Sequence, residues 1–351
     1  MILAGDVGGT KTGLALFERQ GVSFTLVREA ALPSREFSTF EGAVARFLAG
    51  GPSGSIDAAS FGIAGPVVEG RAVTTNLPWK IDERTLEKSI PARRVRLMND
   101  LEATGHGLAA LPPASLVTLQ AGTPRPGNIA LIAAGTGLGE ALLIWDGESH
   151  RVIPSEGGHA DFAPRSELEM DLLRFLTKEF GRVSYERILS GPGFFNVYRF
   201  LRDTGRAPEP AWLTEQLKAG GDPNAVIGPA ALEGRDPLCV ATLDLFTAIY
   251  GAEAGNLGLK VLSVGGVYIG GGIAPRFRAK IEDGTFLAAF RAKGRFSQLM
   301  EAMPVHLVLE SRTALLGPPA SPRVSSRRSQ PGDRTNIAMA YMAHVTDQVE
   351  V

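Results

Sequence analysis

Three observations predict an α/β protein of two lobes. A strand, a Gly/Thr turn and a second strand occupy residues 2–17 and recur at 128–145, and this repeat about a domain apart indicates an internal duplication. After each hairpin the apolar pattern switches to alternating strands and helices. Finally, 351 residues provide for two domains of ~150 residues each, so a cleft between two cores is expected.

The elements follow in order. Met1 to Asp6 has no basic n-region and no long apolar core, so no signal peptide is expected and a cytoplasmic location is. Thr12 to Phe17 is a short apolar run ending at the turn Glu18-Arg19-Gln20-Gly21, and Val22 to Val27 alternates as a half-buried strand does. An amphipathic helix is predicted from Ser38 to Leu48, then a strand from Ala59 to Ala64 into a Gly65-Pro66 turn. Arg94 to Met98 reads as a strand stopping at Asn99-Asp100, with a helix starting at once. Pro112 to Gly127, rich in Pro and Gly, reads as a linker.

The pattern restarts with a strand at Asn128–Ala134, a glycine turn at Gly135–Gly139 and a strand at Ala141–Trp145. Ser166 and Glu169 form a capping-box pair, Leu168, Leu172, Phe175 and Leu176 recur at helical spacing, and Gly181 stops that helix. Further helices are predicted at Gly193–Asp203 and from Asp236 to Leu262, the latter with Pro237 at its first position. Gly266–Ile269 is a strand running into a third glycine turn, Gly270-Gly271-Gly272, and a helix is expected from Ile273 to Ile281. The expected organisation is a small lobe at 1–110, completed by a helix near 301–319, and a large lobe at 111–300. Residues 320–351, rich in Ser, Arg and Pro, are expected to form a disordered or loosely packed tail.

Composition excludes some partners. With 36 basic against 37 acidic side chains there is no electrostatic argument for nucleic acid or an anionic membrane, and Arg323, Arg327 and Arg328 read as a solvated tail. The single Cys239 excludes an internal disulfide and any cysteine-cluster zinc site. Between Lys260 and Arg276 lie 15 uncharged residues, fewer than the ~20 that span a bilayer.

Three stretches carry chemistry. "GDVGGTKT" (5–12) has Thr10 where a P-loop needs its second glycine and leads into a strand, so it is not a P-loop. Its glycines and hydroxyl can still present backbone N–H groups to a phosphate, with Asp6 placed to hold Mg²⁺ directly or through water and Lys11 adding charge near a terminal phosphate. A tight hairpin with glycines chosen for positive φ is the competing reading. Gly135-Thr136-Gly137-Leu138-Gly139 repeats the grammar but lacks dinucleotide spacing. Asn99-Asp100, at the carboxyl end of a strand, offers a base and a hydrogen-bonding amide, or else a helix cap. Glu156 and His159 in "SEGGHADF" offer donors and acceptors to a polyhydroxylated ligand; Glu186 joins them or serves a helix dipole.

Together "GDVGGTKT", "GIAGPV", "TNLPW", "MNDLEATGHGL", "AAGTGLGEALL", "PSEGGHADFAP", "ERILSGPG", "YIGGGIAPRF" and "RTALLG" resemble bacterial glucokinases of the hexokinase type, over residues 3 to 317. The resemblance implies the two-lobed actin-like ATPase (ribonuclease H-like) fold with duplicated β-β-β-α-β-α units and an interlobe cleft. It implies ATP-dependent phosphorylation of the glucose 6-hydroxyl, with Asp100 as the catalytic base and Asn99, Glu156, His159 and Glu186 binding sugar hydroxyls. Asp6, Gly8, Gly9, Thr10 and the turn Gly135-Thr136-Gly137 would hold the phosphates and Mg²⁺, and Gly271 and Gly272 would face the adenosine. A homodimer is implied by resemblance alone. Lys11 departs from the Asn found in many members. Rival readings are a sugar-sensing regulator without transfer, a filament-forming ATPase without a sugar site, and a kinase for another hexose.

Overall fold

A computed structural model describes residues 1–20, 23–52, 54–74 and 77–316; the tail at 320–351 lies outside the described residues. The first sheet contains β1 (Ile2–Val7), β2 (Lys11–Gln20), β3 (Ser23–Pro33) and β4 (Ala58–Ile63). A three-stranded insertion follows, β5 (Val67–Val68), β6 (Arg71–Val73) and β7 (Lys80–Asp82), before β8 (Val95–Asn99) closes the first sheet in the order β3-β2-β1-β4-β8. The second sheet contains β9 (Leu116–Gln120), β10 (Ile129–Ala134), β11 (Leu138–Trp145), β12 (His150–Ser155), β13 (Gly266–Gly270) and β14 (Val305–Val308), in the order β12-β11-β10-β13-β14-β9. Five strands of each sheet thus share one topology, an antiparallel three-strand meander whose first strand pairs in parallel with the fourth. This is the duplication expected from the two Gly/Thr hairpins.

The helices of the first half are α1 (Phe40–Ala49), α2 (Glu83–Ser89) and α3 (Asp100–Leu108). The second half adds α4 (Glu167–Phe180), α5 (Gly191–Asp203), α6 (Ala211–Lys218), α7 (Asn224–Leu232), α8 (Pro237–Val261), α9 (Arg278–Glu282), α10 (Thr285–Arg291), α11 (Ser297–Ala302) and α12 (Thr313–Leu316). Capping chemistry sets the ends: Ser166 Oγ accepts from Glu169 N ahead of α4, Gly181 ends it with φ +69°, and Asp236 caps α8 ahead of Pro237.

One buried cluster lies under the first sheet, where Phe40 meets Phe61 edge-to-face at 4.9 Å and Trp79 packs alongside. Each such side chain contributes about 1.5–3 kcal/mol on burial. A larger cluster surrounds α8, which is long and apolar enough to cross a membrane by length and composition but is buried within the second half against α5, α7 and α10. A third packs α3 on the second sheet, where Leu108 and the half-buried Leu101 meet Leu131, Leu143, Val152 and Val308, while the same helix also lies against β4 of the first sheet. α3 is therefore the seam of the molecule, anchored at both ends of its length.

Several expectations change. The linker at 112–127 contains β9, whose five residues sit on the edge of the second sheet, antiparallel to β14; so short an edge strand between prolines leaves little periodicity to read. Residues 301–316, the described part of the helix expected near 301–319, do not form one helix. α11 ends at Ala302, β14 joins the second sheet, and only α12 returns to pack on α3 and β1. The helix expected at 273–281 begins at Arg278, because Pro275 has no N–H for a helix interior and residues 271–277 make successive turns. Gly317 lies outside the described residues, as do Thr75 and Asn76 of "TNLPW".

Candidate active site

At the first hairpin, paired Val7 and Thr12 leave Gly8, Gly9, Thr10 and Lys11 as the loop, closed by Gly8 N donating to the Lys11 carbonyl at 3.1 Å. Ser34 fastens this loop from behind. Its buried Oγ donates to the Gly8 carbonyl at 2.7 Å and meets Thr12 Oγ1 at 2.9 Å, while its N–H donates to the Thr10 carbonyl at 3.0 Å. The loop's outer face, Thr10 and Lys11, is left exposed. Asp6, half-buried on β1, has its carboxyl pKa raised by burial, an effect that the Lys11 charge opposes.

At the second hairpin Gly135 N donates to the Gly137 carbonyl, and the Gly135 carbonyl accepts from Gly191 N, both at 2.8 Å. Asn224 Nδ2 holds the Gly191 carbonyl in turn, at 2.8 Å. None of Gly8, Gly135 and Gly137 has positive φ, so turn conformation does not account for these glycines. Gly135 and Gly272 front open space that a Cβ would fill, which is what close approach of a ligand to backbone N–H groups requires. Gly271 differs: its φ of +82° and its packing against the Ala134 backbone demand glycine structurally, and this contact docks the third turn beside the second.

Asn99 ends β8 and is the cap of α3, its Oδ1 accepting from Leu101 N at 2.9 Å. The helix cap is thus supplied by Asn99, and Asp100 is the first helical residue. Gly62 of β4 lets this first turn approach; a Cβ there would lie 2.8 Å from Ala103 Cβ and 3.4 Å from Asp100 Cα. Burial raises the Asp100 pKa to about 6; the bond from Leu101 N opposes the shift, and the negative charges of Asp6 and Glu156 add to it. Asp100 therefore feels one carboxylate from the first hairpin's strand and one from the second half of the chain.

Glu156, His159 and Glu186 come together. The 156–162 segment lies along 183–185, with Tyr185 N donating to the Ala160 carbonyl at 3.0 Å, and Glu186 sits in the short 3₁₀ turn Tyr185–Arg187 rather than at the start of α5. His159 stands between the two acids, Nε2 3.9 Å from Glu156 Oε2 and Nδ1 3.8 Å from Glu186 Oε1. Glu186 Oε2 also accepts from Leu138 N at 3.0 Å, one residue past the second glycine turn, and Gly158 packs on the Leu138 carbonyl. The carboxylate-rich turn and the second hairpin thus share a wall.

A family model described as Glucokinase matches residues 3–323. A glucokinase of Nostoc punctiforme is 43% identical over 333 residues, covering 90% of this chain and 97% of the relative. The chain belongs to the glucokinase family. A glucokinase crystal structure from an Antarctic psychrotroph superposes with TM-score 0.79 at 31% identity, covering 90% of this chain and 96% of that one. The likeness to a ROK family glucokinase of Streptomyces griseus in complex with glucose and AMPPNP, TM-score 0.60 at 22% identity over 90% and 97% of the two chains, extends to the fold alone. The fold is the two-lobed actin-like ATPase fold.

Within this glucokinase-family site, sequence reasoning missed the groups that hold the loops. Ser34 follows Pro33 at the end of an edge strand and carries no motif, and Asn224 lies 89 residues beyond the turn that it supports through Gly191. Only the paired hydroxyls, Thr12 facing Ser34 across β2 and β3, could have hinted at the first.

Proposed function

We propose that this protein transfers the γ-phosphoryl group of ATP to the 6-hydroxyl of glucose, giving glucose 6-phosphate and ADP. Asp100 accepts the hydroxyl proton as O6 bonds to the γ-phosphorus and the bond to the β-phosphate oxygen breaks. Asn99, Glu156, His159 and Glu186 orient the sugar, the hairpins at Gly8–Thr10 and Gly135–Gly137 hold the phosphates, and Gly271 and Gly272 face the adenosine. Asp6, a half-buried carboxylate near a second one, would hold the Mg²⁺ of the nucleotide, an ion that keeps waters and phosphate oxygens as its other ligands and would supply neutralisation of phosphate charge. Phosphoryl transfer asks for positioning and charge neutralisation more than covalent work, so closing the lobes, residues 1–110 and 111–300, on the sugar both aligns the reactants and excludes water.

One observation supports this reading above the others: Asp100 stands half-buried at the head of the seam helix, within electrostatic reach of Asp6 on one side and Glu156 on the other, and burial pushes its carboxyl up to about 6. A base must be ionised yet willing to take a proton, and a value close to neutrality meets both demands. A filament-forming ATPase has no use for the Glu156, His159 and Glu186 group. ADP release measured with and without glucose, and with mannose, fructose and N-acetylglucosamine, tests the proposal. Release is expected to depend on glucose. ATP hydrolysis equally fast without sugar, or glucose binding with no ADP formed, overturns it.

A further inference from the structure

Behind the carboxylate-rich turn lies a buried acid that the proposed reaction does not use. Glu140 of β11 is 1% exposed and paired in register with Ser155, the residue ahead of Glu156. Its carboxylate rests against Gly157 so closely that no Cβ could be accommodated there, and its Oε1 is buried without a hydrogen-bond partner. The second acid of the pair, fully buried Glu253 on α8, is well supplied: Asn256 Nδ2 donates to it at 2.8 Å, Lys260 Nζ approaches at 3.4 Å, and the Tyr185 hydroxyl bonds to it. Tyr185 adjoins Glu186. The buried pair therefore backs both sides of the group formed by Glu156, His159 and Glu186.

Two carboxylates in one buried region cannot both ionise cheaply, and the proton settles on the one with fewer donors. That one is Glu140. Burial first, and the Glu253 charge second, push its carboxyl up to about 7, with Lys260 opposing. The other groups around the pair are Tyr250 on α8, Lys293 beyond α10, which donates to Asn256 Oδ1 at 2.5 Å, and the Arg165–Glu169 ion pair at the start of α4. None of these is bonded to Glu140 Oε1.

We propose that protonated Glu140 is a positioning residue for the 155–159 turn, and that sugar affinity falls when its proton leaves. The neutral carboxyl fills the space under Gly157, whereas the anion must draw in water or push the turn outward, and Glu156 and His159 move with it. This inference rests on the reading that those residues bind the sugar.

The test is the glucose KM and kcat of the full chain and of Glu140→Gln, by ADP release from pH 6 to 9, with the KM for ATP as an internal control. Gln is the neutral isostere, so its glucose KM should match that of the unsubstituted protein within about twofold at pH 6 and stay flat above it. For the unsubstituted chain the competent fraction falls above pH 7, so glucose KM should rise about tenfold by pH 8 relative to the variant, with kcat and the KM for ATP following the variant. Identical pH profiles, or a Gln variant with a tenfold raised glucose KM at pH 6, overturns the assignment to Glu140. Absence of glucose-dependent turnover in the unsubstituted chain is the separate signature of a failed kinase reading, and the inference falls with it.

Discussion

Asp100 and Glu310 stand at corresponding places in the two copies of the duplicated sheet, just past the fifth strand, Asp100 as the first residue of α3 and Glu310 in the short connection between β14 and α12. Their surroundings push them in opposite directions. Glu310 accepts from Arg312 Nε and Nη2, both at 2.8 Å, and from its backbone N, and Arg312 reaches on to Glu29 at 3.1 Å; these bonds hold the Glu310 carboxyl below the usual range. Asp100 forms no ion pair within 4 Å among the described residues, and burial first, with the charges of Asp6 and Glu156 adding to it, raises it to about 6. The hairpins diverge in the same way, the first carrying Asp6 and Lys11 and the second the neutral Gly135-Thr136-Gly137. Duplication has kept the backbone and separated the duties at this position: the acid of the first copy is buried beside other acids, and its counterpart in the second is spent on structure.

The sharpest way to break this contrast is Asp100→Asn, which keeps the shape and removes the base. We expect kcat to fall by at least ~10²-fold, the lower end for loss of a general base, while glucose affinity is largely kept. In the unsubstituted chain kcat/KM should fall tenfold per pH unit below about 6, as the base protonates. The stability effect carries its own sign. A carboxyl whose pKa is raised on folding binds its proton more tightly in the folded state, so ionising it costs stability, a penalty absent below the unfolded value of ~3.9, growing up to about 6 and constant above. Asp100→Asn should therefore raise Tm at pH 7 and leave it unchanged near pH 3. Unaltered turnover sinks the assignment of the base.

Much of this architecture is legible in the chain because the site residues sit where strands end. "GDVGGTKT", "MND" and "AAGTGLG" each couple an apolar run to a turn, and that grammar survives without tertiary information. What the sequence hides is of two kinds. β5, β6, β9 and β14 have two to five residues, too few for a period to emerge. The residues that hold the site are distant in sequence: Gly107 is needed because α3 crosses the Thr313 backbone, Gly139 because Leu101 packs on it, and Glu140 reads as an odd charge in a strand until α8 brings Glu253 beside it. Asp100 itself reads equally well as a cap, and since Leu101 N donates to both Asn99 Oδ1 and Asp100 Oδ1 at 2.9 Å, it is the extended backbone of Asn99, with the helix starting at Asp100, that shows which residue is the cap.

A smaller effect is expected from Lys11→Ala. Lys11 is exposed, makes no ion pair within 4 Å among the described residues, and acts on Asp6 only through its field, so it contributes charge to the first hairpin without shaping it. The KM for ATP should rise severalfold, corresponding to about 1 kcal/mol of a screened interaction, with kcat and glucose KM little changed. Because the effect is electrostatic it should shrink as ionic strength rises. A normal KM for ATP at low salt would show that the two hairpins do not differ in charge where it matters.

The smallest effect should come from Glu310→Gln, the counterpart of the Asp100 substitution. Arg312 is 47% exposed, so the pair is screened and its loss should cost at most about 1 kcal/mol, with kcat unchanged. Here the sign runs the other way. A carboxyl held below its unfolded value stabilises the fold above that value, and the stabilisation is lost as pH falls through the folded pKa; the Tm difference should be full at pH 7 and close below the ordinary Glu value of ~4.3. The two amide substitutions thus shift Tm in opposite directions at pH 7, Asp100→Asn upward and Glu310→Gln downward, and only the first stops turnover. A Glu310→Gln protein that loses activity without losing stability would mean that the second copy still takes part in the chemistry, because neither its ion pair nor the α12 turn that it orders against α3 would then explain the loss.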